Sequence, residues 1–191
     1  MKLKSIAVAF SALAGFVGTA NATVFNSTNV PVTICDLCTV TSTLSVTNHI
    51  VISDLNGLIN SLTHTFDRDL ILSLRSPGGT SVTLSNRRGA GGNNFTNTVF
   101  DDEASTAISA GSAPFSGSFR AEGLLSDFDG QDAFGTWTLT VSDNEALDVG
   151  SINSWALDIA GQTQNVPEPA SLALLGIGLA GLAAKRRRNL V

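Results

Sequence analysis

Short stretches of alternating apolar and polar residues fill the middle of this chain and restrict the folds open to it. The alternation occurs over residues 40–46, 58–64, 70–74, 136–141 and 151–159. Successive side chains of a β-strand point to opposite faces, so a period of two predicts strands that each bury one face. No apolar stripe with the 3.6-residue period of a helix continues over a helix length in this region. The pattern predicts an all-β protein, and the frequent turn signals favour a β-sandwich or jelly roll.

Two glycine-rich segments punctuate this pattern. Residues 76–79, Ser-Pro-Gly-Gly, separate the strand over residues 70–74 from a further alternating stretch over residues 80–84. Glycine after proline supplies the positive φ of a tight reversal, so the two strands are predicted to form a hairpin. Residues 89–92 are also glycine-rich, but no helix pattern follows them, and we predict a loop there.

The N-terminus has the three parts of a secretory signal peptide in their usual order. Lys2 and Lys4 are followed by an apolar run over residues 6–17 and then by Ala20-Asn21-Ala22, a small-residue site that signal peptidase accepts. The alternative is a buried N-terminal helix, which would need capping residues and a polar face, and neither is present. We predict a signal peptide over residues 1–22 and a mature chain that begins at residue 23.

The C-terminus contains a second targeting segment. Proline at positions 167 and 169 keeps the preceding chain from continuing as one helix with residues 170–184, which are uncharged and almost entirely Leu, Ile, Ala and Gly. This segment is shorter than the roughly 20 residues of a full membrane span. It stops at a basic cluster, which the positive-inside rule assigns to the cytoplasmic side of a membrane. The members of this cluster are Lys185, Arg186, Arg187 and Arg188.

Val166, Pro167, Glu168 and Pro169, followed by the apolar segment and the basic cluster, resemble the PEP-CTERM sorting signal of Gram-negative bacteria. The resemblance implies a sorting tail over residues 162–191 with a short transmembrane helix, processed by an exosortase near the Pro-Glu-Pro. It also implies an inner-membrane precursor and export to the cell surface or extracellular matrix of a species that makes exopolysaccharide. We therefore expect signal peptidase and an exosortase as partners during export.

The region between the two targeting segments is strongly acidic. Residues 23–166 contain fifteen Asp and Glu against five arginines and no lysine, which gives a formal charge of −10. Nucleic-acid binding needs a basic surface, so the composition argues against that class of function. An acidic surface rich in Gly, Ser, Thr and Asn is typical of extracellular proteins and offers oxygen ligands for a hard cation such as Ca²⁺.

Cys35 and Cys38 are the two cysteines of the chain and have the C-x-x-C spacing. In a cytosolic βαβ protein this spacing would indicate thioredoxin-like redox chemistry, but no helix pattern follows it here. A metal site would need ligands beyond two thiolates. Because an exported protein folds in an oxidising compartment, we predict a local disulfide within an N-terminal extension over residues 23–40.

A second resemblance depends on short motifs that follow one another in a fixed order over residues 41–161. They are a His and an Asp-Leu, then Ser-Pro-x-Gly-Thr, then Gly-Thr-Trp, and finally Gly-x-Leu-x-x-Trp, which residues 150–155 match with Ile in place of Leu. The residues concerned are His64, Asp69, Ser76, Pro77, Gly79, Thr80, Gly135, Trp137 and Trp155. In this order the motifs resemble the P-domain of proprotein convertases. The resemblance implies a jelly-roll sandwich related to galactose-binding-like domains, with bacterial-type loops at residues 100–104, 114–117 and 125–130.

Several of these residues have two interpretations. We interpret Trp137 and Trp155 as core aromatics between the sheets, with ligand stacking as the alternative. His64, shortly before Asp67 and Asp69, is compatible with catalysis, but a histidine that is hydrogen-bonded within a β core is the preferred interpretation.

The sequence also suggests a cation site. Residues 101–103, Asp-Asp-Glu, form the densest carboxylate group, and such like charges must be neutralised by solvent, an arginine or a cation. Ca²⁺ would collect several oxygens from separate loops at roughly 2.3–2.6 Å. The candidate ligands are Asp69, Asp101, Asp102 and Asp143, although the chain has no EF-hand spacing.

No catalytic motif accompanies these features. The chain has no G-x-S-x-G, H-E-x-x-H or phosphate-binding loop. Ser81 lies in the predicted hairpin instead of beginning a helix, so it does not match the nucleophile of a subtilisin-like protease. His49 and His64 belong to no recognisable triad. We expect no enzyme activity and no catalytic residue.

Two functions from different classes remain. The first is a non-catalytic surface or matrix protein whose sandwich binds an exopolysaccharide or another protein. The second is an accessory module that stabilises or assists a separately encoded, co-secreted protease, because P-domains stand beside a subtilisin-like domain in the proprotein convertases. Neither function implies a cofactor other than Ca²⁺.

Overall fold

The computed structural model describes residues 21–164, which fold into two β-sheets. Within these residues the strands are β1 (Asn21–Asn26), β2 (Val32–Ile34), β3 (Thr39–Val46), β4 (Ile50–His64), β5 (Leu70–Arg75), β6 (Ser81–Asn86), β7 (Phe95–Phe100), β8 (Phe115–Phe119), β9 (Gly135–Asp143) and β10 (Gly150–Thr163). Three short 3₁₀ helices lie in the connections, at Asp67–Asp69, Ile108–Ala110 and Leu125–Phe128. The prediction of an all-β protein is therefore confirmed.

The first sheet has the strand order β1–β10–β4–β7–β8, with β2 also paired to β10, and the second has the order β3–β9–β5–β6. β5 and β6 form the predicted antiparallel hairpin. β7 and β8 are parallel, whereas the other named pairs are antiparallel. A parallel pair needs a long crossover connection, and residues 101–114 provide it.

The two sheets form a sandwich around one hydrophobic core, to which both contribute. Alternate residues of β5 and β9 are buried, as the sequence pattern predicts. These residues are Leu70, Leu72 and Leu74 on β5, and Trp137, Leu139 and Val141 on β9. The finer jelly-roll connectivity stays a prediction.

The stretch predicted as an N-terminal extension contributes two strands to the first sheet. β1 pairs with β10 from Asn21 opposite Gly161 to Asn26 opposite Ala156. β2 pairs with the beginning of the same strand. β1 begins two residues before Thr23, the predicted first residue of the mature chain, so most of this strand would remain after cleavage at that site.

Besides β1 and β2, sequence alternation missed three further parts of the first sheet: β7, β8 and the first half of β4. Residues 114–117 were expected to form a loop, but Phe115–Phe119 is strand β8. Of its five residues only Phe115 is buried, because β8 lies at the edge of the sheet and exposes most of its side chains. The Phe-Ser-Gly-Ser-Phe sequence of β8 is short and has a glycine at its centre, which weakens a strand prediction.

Residues 1–20 and 165–191 lie outside the described part of the chain. Most of the predicted signal peptide, the Pro-Glu-Pro motif at residues 166–169, the apolar segment and the basic cluster at residues 185–188 fall there. Within residues 21–164, no helix is both long enough and apolar enough to cross a membrane.

Candidate functional site

The Ser-Pro-x-Gly-Thr motif forms the turn between β5 and β6. The amide of Ser76 donates to the carbonyl of Thr80 (2.9 Å), and the amide of Gly79 donates to the carbonyl of Ser76 (3.0 Å). Gln131, in the loop before β9, fastens this turn: its side-chain amide donates to Thr80 Oγ1 (2.9 Å), and its oxygen accepts from Ser76 Oγ (3.0 Å). These contacts give the motif a structural role.

Gly135, Trp137 and Trp155 of the family motifs also have structural contacts. Gly135 packs against Pro77 of the same turn. Trp137 and Trp155 are buried, and their indole N–H groups donate to the carbonyl of Ala133 (2.9 Å) and to Ser42 Oγ (2.7 Å). Both indoles therefore lie in the core with satisfied hydrogen bonds, out of reach of a ligand at the surface.

His64 ends β4 and lies opposite Gly150, the first residue of β10. Its Nε2 is 3.4 Å from Asp143 Oδ2, and both side chains are fully buried. Its Nδ1 is 3.0 Å from the carbonyl oxygen of Phe66. Within residues 21–164 neither Nε2 nor Oδ2 has a hydrogen bond of good geometry, so each buried group has the other, at 3.4 Å, as its nearest polar partner.

Two further carboxylates, Asp67 and Asp69, are buried in the 3₁₀ helix that follows β4. Asp67 Oδ1 accepts the amide N–H of Asn94 (2.8 Å). Burial raises the pKa of Asp67 to about 7, against the lowering effects of this hydrogen bond and of His64. Burial, followed by the charge of Asp143, also raises the pKa of Asp69.

The four candidate calcium ligands do not come together. Asp69 and Asp143 lie where β5 and β9 pair, whereas Asp101 and Asp102 follow β7. Asp102 accepts two backbone amides of the 3₁₀ helix Leu125–Phe128, at 3.1 and 2.9 Å. Within residues 21–164, no group of three or more His, Cys, Asp and Glu side chains is arranged to hold a metal ion. Calcium binding stays a prediction without a complete site.

Cys35 and Cys38 are joined by a disulfide in the loop after β2, with an S–S distance of 2.03 Å. The carbonyl of Cys38 accepts the amide N–H of Asp143 (2.8 Å), so this loop lies against the end of β9. The disulfide thus closes a small loop at the same end of the domain as His64.

The other histidine of the chain, His49, is only half-buried. His49 Nδ1 lies 2.7 Å from Asp132 Oδ2, and its ring stacks on Phe134 with ring centroids 4.2 Å apart. The hydrogen bond to His49 lowers the pKa of Asp132. Among the described residues, neither His49 nor His64 is hydrogen-bonded to the side chain of a Ser, Thr or Cys.

An open cleft of about 300 Å³ lies where three loops meet, beside the buried carboxylates of the 3₁₀ helix Asp67–Asp69. The first loop connects β4 to β5 and contains this 3₁₀ helix, the second connects β6 to β7, and the third connects β7 to β8. The cleft is lined by Arg68, Arg87, Arg88, Gly89, Ala90, Ser109, Gly111 and Ser112. Three of the five arginines in residues 23–166 therefore face one cleft.

Glycines allow the loops of this cleft to approach one another. Gly89 has a φ of +98°, and a Cβ there would lie 2.9 Å from a ring carbon of Phe115 and 3.0 Å from Asp67 Cβ. A Cβ at Gly111 would lie 2.8 Å from a ring carbon of Phe119. A larger residue at either position would therefore push the loops apart.

The three arginines differ in their partners. Arg87 is paired with Glu145, and Arg88 Nε is paired with Glu122 Oε1. The hydrogen bond and charge of Glu122 raise the pKa of Arg88. Arg68 is exposed and makes no salt bridge within residues 21–164. A guanidinium carries five N–H donors. Arg87 and Arg88 are therefore oriented by carboxylates and still have free N–H groups, and all five donors of Arg68 are available.

Sequence analysis did not single out this cleft. Its basic residues come from two loops about twenty positions apart, and its serines lie another twenty positions further along the chain. The loop at residues 89–92 was predicted, but its neighbours were not. The available signal was the scarcity of cations in residues 23–166, where Arg87 and Arg88 directly precede the predicted loop at residues 89–92.

Comparison with known families gives two matches. The proprotein convertase P-domain model matches residues 58–159, and the PEP-CTERM protein-sorting motif matches residues 165–188. Both resemblances found in the sequence are therefore confirmed, and the sorting motif marks an exported, sorted protein.

Among characterised proteins, the chain is 31% identical over 97 residues to leupeptin-inactivating enzyme 1 of Streptomyces exfoliatus. The match covers 51% of this chain and 16% of that enzyme. Among solved structures, it is similar to the serine protease of Aeromonas sobria, in complex with the chaperone ORF2 and alone, with TM-scores of 0.48 and 0.47. Each match has 20% identity and covers 74% of this chain and 26% of the other.

Proposed function

The chain belongs to the proprotein convertase P-domain family, and from this premise we propose that it is a non-catalytic surface or matrix protein that binds extracellular polysaccharide. The sorting motif on the same chain supports export and processing by an exosortase. The proposed destination is the cell surface or the extracellular matrix, where the protein would meet secreted polysaccharide.

The open cleft is the observation that carries the proposal. Its lining combines arginines, serine hydroxyls and glycine backbone, and it contains no large apolar side chain. Such a surface suits a polyhydroxylated ligand better than an apolar one, because each hydroxyl of a sugar can exchange hydrogen bonds with these groups. The buried family-motif residues, by contrast, stabilise the sandwich.

Co-sedimentation with the exopolysaccharide of the producing bacterium tests the proposed function. The exported protein should pellet with the polymer in a saturable manner, and should show no turnover on panels of glycans and peptides. Failure to bind at any polymer concentration would reject polysaccharide binding. Hydrolysis of either panel would reject the non-catalytic role.

A second candidate is an accessory module for a separately encoded protease. The similarity to leupeptin-inactivating enzyme 1 favours it, because the matched part is a small portion of a much longer enzyme. An accessory module should raise the thermal stability or activity of a co-secreted protease when the two are mixed. A protease that behaves identically with and without the protein would argue against this role.

A further inference from the structure

We infer that the cleft between the loops that carry Arg68, Arg87 and Ser109 binds the carboxylate of an acidic sugar residue in an anionic polysaccharide. The inference deepens the proposed function and rests on it. It assigns the ligand class, a uronate-type sugar, and the residues that recognise it.

Positive charge is concentrated at the cleft. Residues 23–166 carry a formal charge of −10, so positive charge is scarce, yet three of five arginines line one cleft. Arg87 and Arg88 are paired with carboxylates, whereas Arg68 makes no salt bridge within residues 21–164. An anion would therefore be bound through the Arg68 guanidinium and through the N–H groups that the other two arginines leave free.

The arginines of the cleft have N–H groups available for a ligand. The guanidiniums of Arg87 and Arg88 are held by Glu145 and Glu122, which leaves part of each fork free to bind a further group. Arg68 has no acidic partner among residues 21–164 and supplies a complete fork. Carboxylates accept two parallel N–H bonds from such a fork, a geometry that lysine does not offer.

The backbone of Arg68 is held in place by its buried neighbours. It is the middle residue of a short 3₁₀ helix whose two other members, Asp67 and Asp69, are buried. The amide of Asp67 donates to the carbonyl of Gly92 (2.9 Å), which ties this helix to the loop that carries the other two arginines. The backbone of Arg87 is anchored as well, because its amide donates to the carbonyl of Leu70 (2.9 Å). The cleft is therefore built on anchored backbone.

The size and lining of the cleft also limit the class of ligand. Ligand pockets in proteins measure roughly 300–1,000 Å³, and this cleft, at about 300 Å³, is at the small end. It suits one sugar unit with the rest of the polymer extending outside. Ser109 and Ser112 add hydroxyls for the sugar, whereas an acidic peptide would need space for apolar and main-chain groups. These features favour an acidic sugar over an acidic peptide.

Titration calorimetry of the exported full-length protein tests the assignment, with trigalacturonate as the probe and maltotriose as its neutral control. We expect trigalacturonate to bind at least tenfold more tightly than maltotriose. Arg68→Gln should weaken trigalacturonate binding at least tenfold. Arg75→Gln is the matched control, because Arg75 is also exposed and its loss changes the net charge equally, yet it lies outside the cleft. The affinity of Arg75→Gln for trigalacturonate should stay within twofold of that of the wild type.

The opposing outcomes are separable. Equal affinities for Arg68→Gln and Arg75→Gln, in variants with unchanged thermal unfolding, would overturn the assignment of the cleft. Equal affinity for a capped tri-aspartate peptide would overturn the preference for a sugar. If the exopolysaccharide co-sediments equally with both variants, the proposed function stands and the cleft assignment fails. If trigalacturonate binds through Arg68 but the exopolysaccharide does not bind, the cleft chemistry stands and the proposed function fails.

Discussion

Gly135 packs directly against Pro77: a Cβ at Gly135 would lie 2.9 Å from the Cβ of Pro77, and the φ of Gly135 is +123°. The two residues are far apart in the chain and belong to separate family motifs, Ser-Pro-x-Gly-Thr and Gly-Thr-Trp. Their contact joins the β5–β6 turn to the beginning of β9. The family motifs are therefore packing partners, which explains why they resemble those of other P-domains without marking an active site.

Gly135→Ala should destabilise the domain by about 2–4 kcal/mol, because it adds a clash with Pro77 to an unfavourable backbone conformation. Gly117→Ala is the matched control, since Gly117 also has a positive φ (+94°), but a Cβ added there would meet no other atom within 4 Å. The control should lose only about 1 kcal/mol. Urea denaturation measures both, and equal losses would show that the contact with Pro77 contributes nothing.

The buried pair His64 and Asp143 should be strongly coupled. Removing one partner leaves the other polar group buried without compensation, so His64→Gln and Asp143→Asn should each cost about 3 kcal/mol. The double variant should lose at least about 1 kcal/mol less than the sum of the single losses. His49→Gln serves as the control, because its pair with Asp132 is exposed and should contribute less than about 1 kcal/mol. Additive losses for the buried pair would contradict the coupling.

Asp67 should make stability depend on pH around neutrality. Burial raises its pKa in the folded protein to about 7 from an ordinary value of 3.8. Between these values the folded chain retains a proton that the unfolded chain releases, so the contribution of Asp67 to stability is present at low pH and is lost as pH rises toward 7. Asparagine at this position cannot ionise, so the variant lacks this loss. The free energy of unfolding of Asp67→Asn, relative to that of the wild type, should therefore increase by about 2–3 kcal/mol from pH 5 to pH 8.

Chemical denaturation of both proteins at pH 5 and pH 8 measures this gain. Asp127→Asn is the control, since Asp127 is exposed and its side chain makes no hydrogen bond in the described part of the chain. This control should track the wild type at both pH values. A gain of the same size in the control, or none in Asp67→Asn, would assign the pH dependence to other groups.

Asp102 should stabilise the protein through backbone hydrogen bonds. Its two oxygens accept the amides of Leu125 and Ser126, so Asp102→Ala should cost about 1–2 kcal/mol. Because amides already occupy both oxygens, the loss should be the same in EDTA and in millimolar CaCl₂. A loss that occurs only with calcium would instead assign Asp102 to a cation site. Thermal unfolding in the two buffers distinguishes these outcomes.

Several elements could be predicted because their signals are local. The hairpin of β5 and β6 follows from two alternating stretches around Ser76–Gly79, and the burial of Trp137 and Trp155 follows from alternation in β9 and β10. β8 could not be predicted in this way, because it pairs in parallel with β7 across a long connection and exposes most of its side chains. The position of β8 in the sheet depends on its pairing with β7, and the sequence of β8 alone does not indicate which strand it pairs with.

The sequence by itself determined the fold class, the family and the sorting motif, because alternation, motif order and the Pro-Glu-Pro tail are each written in short stretches of chain. Only the tertiary structure decided how the polar residues are grouped. It separated Asp69 and Asp143 from Asp101 and Asp102, buried His64, and brought Arg68, Arg87 and Arg88 to one cleft with Ser109 and Ser112. The physical reason is that strand pairing and glycine packing bring loops together across the sandwich, so a binding surface forms from residues that are distant in the chain.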